Sequence, residues 1–168
     1  GKLHPSGMAL LKSAPGVTFD YVEEVSEQSY HPFISKADAL VLRTQPLSAS
    51  TVANADRLKI VSRHGVGYDA VHLASLNERG IALAVVGDVN SVSVAEHAMM
   101  LILSAAKRVL RGDRAVRNPS EWGWRNRLEA EEISGKRLLI IGFGRIGRHL
   151  SRMAAGFGME IRAFDPYL

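Results

Sequence analysis

At 168 residues, with 46% hydrophobic and 23% charged residues and a mean hydropathy of +0.00, the chain can fill a core, which excludes wholesale disorder. Its longest mainly apolar run, Ala98–Ala106, falls far short of the roughly 20 residues that a membrane span needs, and zero cysteines exclude disulfides, thiolate metal sites and cysteine nucleophiles. The net charge of +4 is uneven: residues 1–100 hold 8 Lys and Arg against 10 Asp and Glu, whereas residues 101–168 hold 13 against 7. Lys107, Arg108, Arg111, Arg114, Arg117, Arg125 and Arg127 supply most of the excess. Without aromatic interleaving this reads as a solvated helix face and a subunit contact, not a nucleic-acid site. The opening residues carry no secretory signal pattern, and the lack of cysteine suits a cytoplasmic location.

The chain enters through a helix-like stretch, Met8–Lys12, where a sheet of this kind normally opens with a strand. Val17–Val22 then reads as a strand and Pro32–Ala37 as a short helix. Ala39–Arg43, Leu58–Ser62 and Ile81–Val86 are short apolar runs about 20 residues apart, the beat of a βα repeat. The segments between them, Ser48–Arg57 and Ala70–Arg79, read as helices, the second ending at Gly80. Continuous apolar strands separated by helices predict a parallel sheet in an α/β fold. Ser93 and Glu96 read as a capping box. Behind it Ala95, Met99, Ile102, Leu103, Ala106 and Leu110 predict one long helix over 93–117. An arm over 118–133 follows, with Trp122 and Trp124 expected to bury against a partner subunit or another lobe.

The chemistry concentrates after Leu138-Leu139-Ile140-Ile141. That buried-strand run leads straight into Gly142-Phe143-Gly144-Arg145-Ile146-Gly147, a complete G-x-G-x-x-G. A helix over Arg148–Ala155 and a second strand, Met159–Phe164, follow, and Asp165 stands 18 residues after the last glycine. Gly142 permits the tight turn, Gly144 lets backbone approach a pyrophosphate, and Gly147 lets helix and strand pack closely. The free N–H groups of Arg145 and Ile146 at the helix start suit phosphates. Asp165 can accept hydrogen bonds from ribose hydroxyls, and its charge opposes a 2′-phosphate. The pattern predicts a dinucleotide site preferring NAD.

Taken together, the chain resembles the D-isomer-specific 2-hydroxyacid dehydrogenase family. The resemblance rests on Arg63-His64-Gly65-Val66-Gly67-Tyr68-Asp69, Asn77-Glu78-Arg79-Gly80-Ile81, Asn90–His97, Ile133-Ser134-Gly135-Lys136, the glycine motif and Ala155–Met159 through Phe164-Asp165-Pro166. It implies two doubly wound, Rossmann-like lobes, both incomplete. Residues 1–89 would be a flavodoxin-like substrate lobe lacking its first strand, and 90–168 the opening half of an NAD lobe. It further implies that Arg43, Thr44, Val66, Gly67 and Asn90 face the substrate. The Gly65–Gly67 turn would form a nest of N–H groups for the substrate carboxylate. Val94 would face the cofactor. The family's catalytic Arg, Glu and His fall downstream of the second NAD-lobe strand, so no catalytic residue is assigned here and this stretch alone is expected to be inactive.

His64 adjoins the nest but reads as structural, as does His97 on the apolar side of the long helix. The other histidines suggest no metal or relay. The implied activity is hydride transfer between a nicotinamide and C2 of a small 2-hydroxy or 2-keto acid, of the 3-phosphoglycerate, glyoxylate or hydroxypyruvate class. The alternative is an NAD-sensing dimeric scaffold resembling the C-terminal-binding-protein corepressors. A homodimer through helix 93–117 and the tryptophan arm is expected, with no membrane partner.

Overall fold

Ala39–Leu42, Ile60–Arg63 and Ala82–Val85 form strands β1, β2 and β3, which lie in that order as a parallel sheet. Ala39 pairs with Ile60 and Ile60 with Ala82, so all three strands point their carboxyl ends the same way. In the computed structural model, which describes all 168 residues, this sheet belongs to one of two units, Gly1–Gly87 and Asp88–Leu168.

Four short helices belong to this unit: α1 (Pro5–Ser13), α2 (Glu27–Tyr30), α3 (Ala49–Ala53) and α4 (Leu73–Glu78). A 3₁₀ turn over His31–Lys36 continues α2. Each helix start takes a side-chain cap, Ser48 accepting the Thr51 N–H at 3.3 Å being typical. Ile34, Leu42, Leu47, Val52, Val61 and Leu76 make the buried centre. Tyr30 joins them and donates its hydroxyl to the Pro46 carbonyl at 2.5 Å. Burial pushes its phenol above the usual range. Glu27 accepts both the N–H and the hydroxyl of Ser48 at 2.7 Å, tying α2 to the start of α3.

Several sequence expectations need correcting here. Val17–Val22 forms no strand: its β-forming residues find no ladder partner, and Val17 and Phe19 stay substantially exposed. The helices expected over Ser48–Arg57 and Ala70–Arg79 shrink to α3 and α4. Val71 is drawn into a bridge with Leu47, and His72 becomes the cap of α4.

In the second unit, Arg137–Ile141 (β4) and Glu160–Phe164 (β5) pair in parallel, Leu138 opposite Ile161. Helices α5 (Ser91–Ala106) and α7 (Arg145–Gly156) pack together over them. Met99, Ile133 and Ala154 are buried at this contact, with Ile102, Leu103, Leu150 and Ile161 packed around them. The predicted single helix over 93–117 is broken. Arg108 adopts a left-handed conformation (φ 54°), which ends α5 and starts a separate α6 (Val109–Arg117). Leu110, read as part of the apolar stripe, is 76% exposed. The capping box is also displaced: Asn90 holds the N-cap position of α5 without a side-chain bond, its carbonyl accepting the Val94 N–H at 2.9 Å, so Ser93 sits inside the first turn. His97 is exposed, not part of the core.

The arm folds as a 3₁₀ helix over Pro119–Arg127 against α6, joined by an Arg111–Glu121 ion pair. Trp124 packs beside Gly112, where a methyl would stand 3.6 Å from the indole ring. Trp122 is half exposed beneath the Arg125 guanidinium, 5.0 Å from its ring centre. No helix is long and apolar enough to cross a membrane.

Candidate functional site

β4 runs into the glycine loop, and the loop's shape follows from what its glycines lack. Gly142 turns the chain at φ +91°, a conformation L side chains rarely adopt. A Cβ on Gly147 would lie 2.4 Å from the Gly142 carbonyl oxygen and 3.2 Å from Ile140 Cγ2, so only glycine lets α7 seat against β4. Gly144 differs. A Cβ there would meet nothing within 4 Å, so no neighbour in the chain requires glycine at that position. The open space lies at the N-cap of α7, where no side chain caps the helix and the N–H groups of Gly144, Arg145 and Ile146 meet no acceptor.

The end of β5 closes the loop from the other side. Asp165 Oδ2 accepts the Phe143 N–H at 2.7 Å, and Oδ1 accepts the Tyr167 N–H at 3.0 Å. The Tyr167 and Phe143 N–H groups, with the nearby Arg148 guanidinium, hold the Asp165 carboxyl below the usual carboxylate range. Asp165 thus stays ionised beside the loop with lone pairs to spare. Beyond the predicted Arg145 N–H, two side chains at the loop make contacts that sequence reading did not foresee. Arg148 Nε donates to the Phe143 carbonyl at 3.0 Å, and Arg145 lies 3.9 Å from the Asp88 carboxylate. Their only sequence signal is position, one turn apart at the start of α7. Asn90 and Val94, both exposed, lie at the start of α5 in this same unit.

The first unit gathers the remaining predicted residues at one sheet end. Leu42 is in register with Arg63, so Arg43-Thr44 and His64–Gly67 leave adjacent strands side by side. The N–H groups of Val66 and Gly67 have no partner in the chain, as an anion nest requires. Arg43 is exposed and donates to the Lys2 carbonyl at 2.8 Å. Arg63, also missed from sequence, folds back so that Nη1 donates to the His64 carbonyl at 2.6 Å and its guanidinium lies against Gly65. His64 itself is exposed. None of the chain's six histidines is ion-paired with a carboxylate, and no group of three His, Asp or Glu side chains could hold a metal.

The model of the D-isomer specific 2-hydroxyacid dehydrogenase catalytic domain matches residues 1–163. A D-3-phosphoglycerate dehydrogenase from Methanocaldococcus jannaschii is 37% identical over 136 residues, covering 80% of this chain and 26% of that protein. A chloroplastic D-3-phosphoglycerate dehydrogenase from Arabidopsis thaliana is 33% identical over 168 residues, covering 99% and 28%. The chain therefore spans little more than a quarter of the length of these relatives. Among solved structures, the NAD-dependent formate dehydrogenase from Staphylococcus aureus, in complex with NAD, superposes with a TM-score of 0.85 at 28% identity. It covers 95% of this chain and 49% of that one. With nearly its whole length matched in sequence and fold, the chain belongs to the D-isomer specific 2-hydroxyacid dehydrogenase family.

Proposed function

We propose that the protein is an NAD-dependent oxidoreductase that moves hydride between nicotinamide and C2 of a small D-2-hydroxy or 2-keto acid. In this reading Gly1–Gly87 belongs to the substrate lobe and Asp88–Leu168 to the cofactor lobe. The observation that carries it is the ionised Asp165 tied to the glycine loop beside three unpartnered N–H groups and an open position at Gly144. These residues fit the cofactor. The N–H groups of Gly144, Arg145 and Ile146 would receive the pyrophosphate, Gly142 and Gly147 set the loop, and Asp165 would take the ribose hydroxyls. Val94 would border the nicotinamide side. NAD, when bound, supplies the hydride carrier. The chain's own contribution is orientation and the exclusion of a 2′-phosphate by the Asp165 charge.

On the substrate side, the Val66 and Gly67 N–H groups would hold the carboxylate, with Thr44 as a polar neighbour. Arg43, with Arg63 beside the nest, favours a phosphorylated acid such as 3-phosphoglycerate over glyoxylate or hydroxypyruvate. The family resemblance assigns no catalytic residue within these 168 residues, so they alone are expected to bind without turnover. Pairing of two copies through α5, α6 and the Trp122/Trp124 arm completes the proposal. The test is NADH oxidation by the full-length protein with a panel of 2-keto acids. Turnover is expected, fastest with a phosphorylated substrate, and no turnover with any 2-keto acid would refute the enzymatic reading.

A further inference from the structure

One residue of the glycine loop is gripped at both of its backbone polar groups by side chains from different elements. Asp165, at the end of β5, accepts the Phe143 N–H at 2.7 Å, and Arg148, in the first turns of α7, donates Nε to the Phe143 carbonyl at 3.0 Å. The peptide joining Phe143 to Gly144 is trans, as are all peptides of the chain. In a trans peptide the C=O and the following N–H point in opposite directions. Holding the Phe143 carbonyl toward Arg148 therefore aims the Gly144 N–H away from it. That N–H has no acceptor in the chain, and the space where a Gly144 side chain would stand is empty to 4 Å.

We infer that Arg148 is a positioning residue for phosphate recognition, fixing the Phe143–Gly144 peptide so that the Gly144 N–H joins those of Arg145 and Ile146 as a donor. The inference rests on the dinucleotide reading above and adds a residue to it. Arg148 does not need to touch the ligand: its Nε is engaged by the loop carbonyl, and the ligand meets the far side of the same peptide. Glycine at 144 then has two tasks, to keep the space clear and to expose its N–H.

The experiment compares the 168-residue chain with its Arg148→Met and Arg148→Lys variants. Each is titrated calorimetrically with NAD, ADP and adenosine, and the Gly144 amide is followed in ¹H–¹⁵N spectra of the protein without ligand. Losing one well-placed, charge-assisted hydrogen bond predicts about tenfold weaker NAD and ADP binding in Arg148→Met. Adenosine affinity should stay within about twofold, and the Gly144 amide resonance should move before any ligand is added. Arg148→Lys, which keeps the charge but not the planar Nε donor, should behave like Arg148→Met. An unmoved Gly144 amide, or full NAD and ADP affinity in Arg148→Lys, would overturn the inference, the second outcome assigning the residue a charge role only. If the parent chain binds neither NAD nor ADP, the dinucleotide reading fails. The Gly144 resonance then still decides whether Arg148 sets the peptide.

Discussion

A methyl group at position 147 would stand 2.4 Å from a backbone carbonyl that is itself fixed by the Gly142 turn, so neither side can yield cheaply. Gly147→Ala should therefore destabilise the second unit by about 1–3 kcal/mol, the usual cost of overpacking, measured by urea denaturation. Asp165 works through charge instead of shape. Its folded pKa is depressed from the ordinary 3.8 by the Tyr167 and Phe143 N–H groups. The stabilisation it contributes is thus complete above about pH 4 and is lost as pH falls through the lower folded value. The Phe143 amide proton should report this directly. Its NMR shift should titrate with a midpoint below 3.8, and Asp165→Asn should abolish the titration. A midpoint at or above the ordinary value would show that the carboxylate is not held by the loop.

At the scale of elements, the clearest test lies at the break between α5 and α6. Arg108 adopts φ 54°, where a side chain costs roughly 1 kcal/mol that glycine does not incur. Arg108→Gly should leave stability unchanged or raise it by up to about 1 kcal/mol. In a continuous helix the same substitution would cost about 1 kcal/mol, so thermal unfolding separates the two geometries.

That break also shows where sequence reading ends. The strands β1 to β4 were legible because each carries a short apolar run between turn residues, and β5, with Glu160 and Arg162 in it, through its place after the glycine loop and helix. The glycine loop was legible because Gly142 and Gly147 answer local steric demands and Gly144 completes their spacing. Val17–Val22 was not, since strand formation needs a partner that local composition does not specify. The helix break was hidden because Ala106 to Leu110 continues a helical apolar spacing, although Leu110 points to solvent. Arg63 and Arg148 were missed for a related reason. Their roles come from a guanidinium folding back onto a nearby carbonyl, a contact that periodicity does not register.

At the scale of the whole molecule, large apolar side chains remain on the surface of the second unit's helical elements. Leu101, Leu110, Val116, Trp122 and Leu128 are 50% or more exposed, interleaved with arginines. In the proposed pairing of two copies, these side chains would supply the association surface. Light scattering at micromolar concentration should give twice the 18.3 kDa chain mass, and Leu110→Asp should shift it to monomer. A monomer for the parent chain would contradict the pairing. Ligand linkage supplies a second reading at this scale: NAD at 100 times its Kd should stabilise the unit that binds it by about 2.7 kcal/mol.

The central claim, that Asp165 and the glycine loop form an NAD site, is tested most directly by titrating the 168-residue chain with NAD and with NADP. The account predicts saturable NAD binding, NADP binding weaker by at least about tenfold, and a loss of that preference in Asp165→Ser. Equal affinity for the two cofactors, or a preference that survives Asp165→Ser, would contradict it.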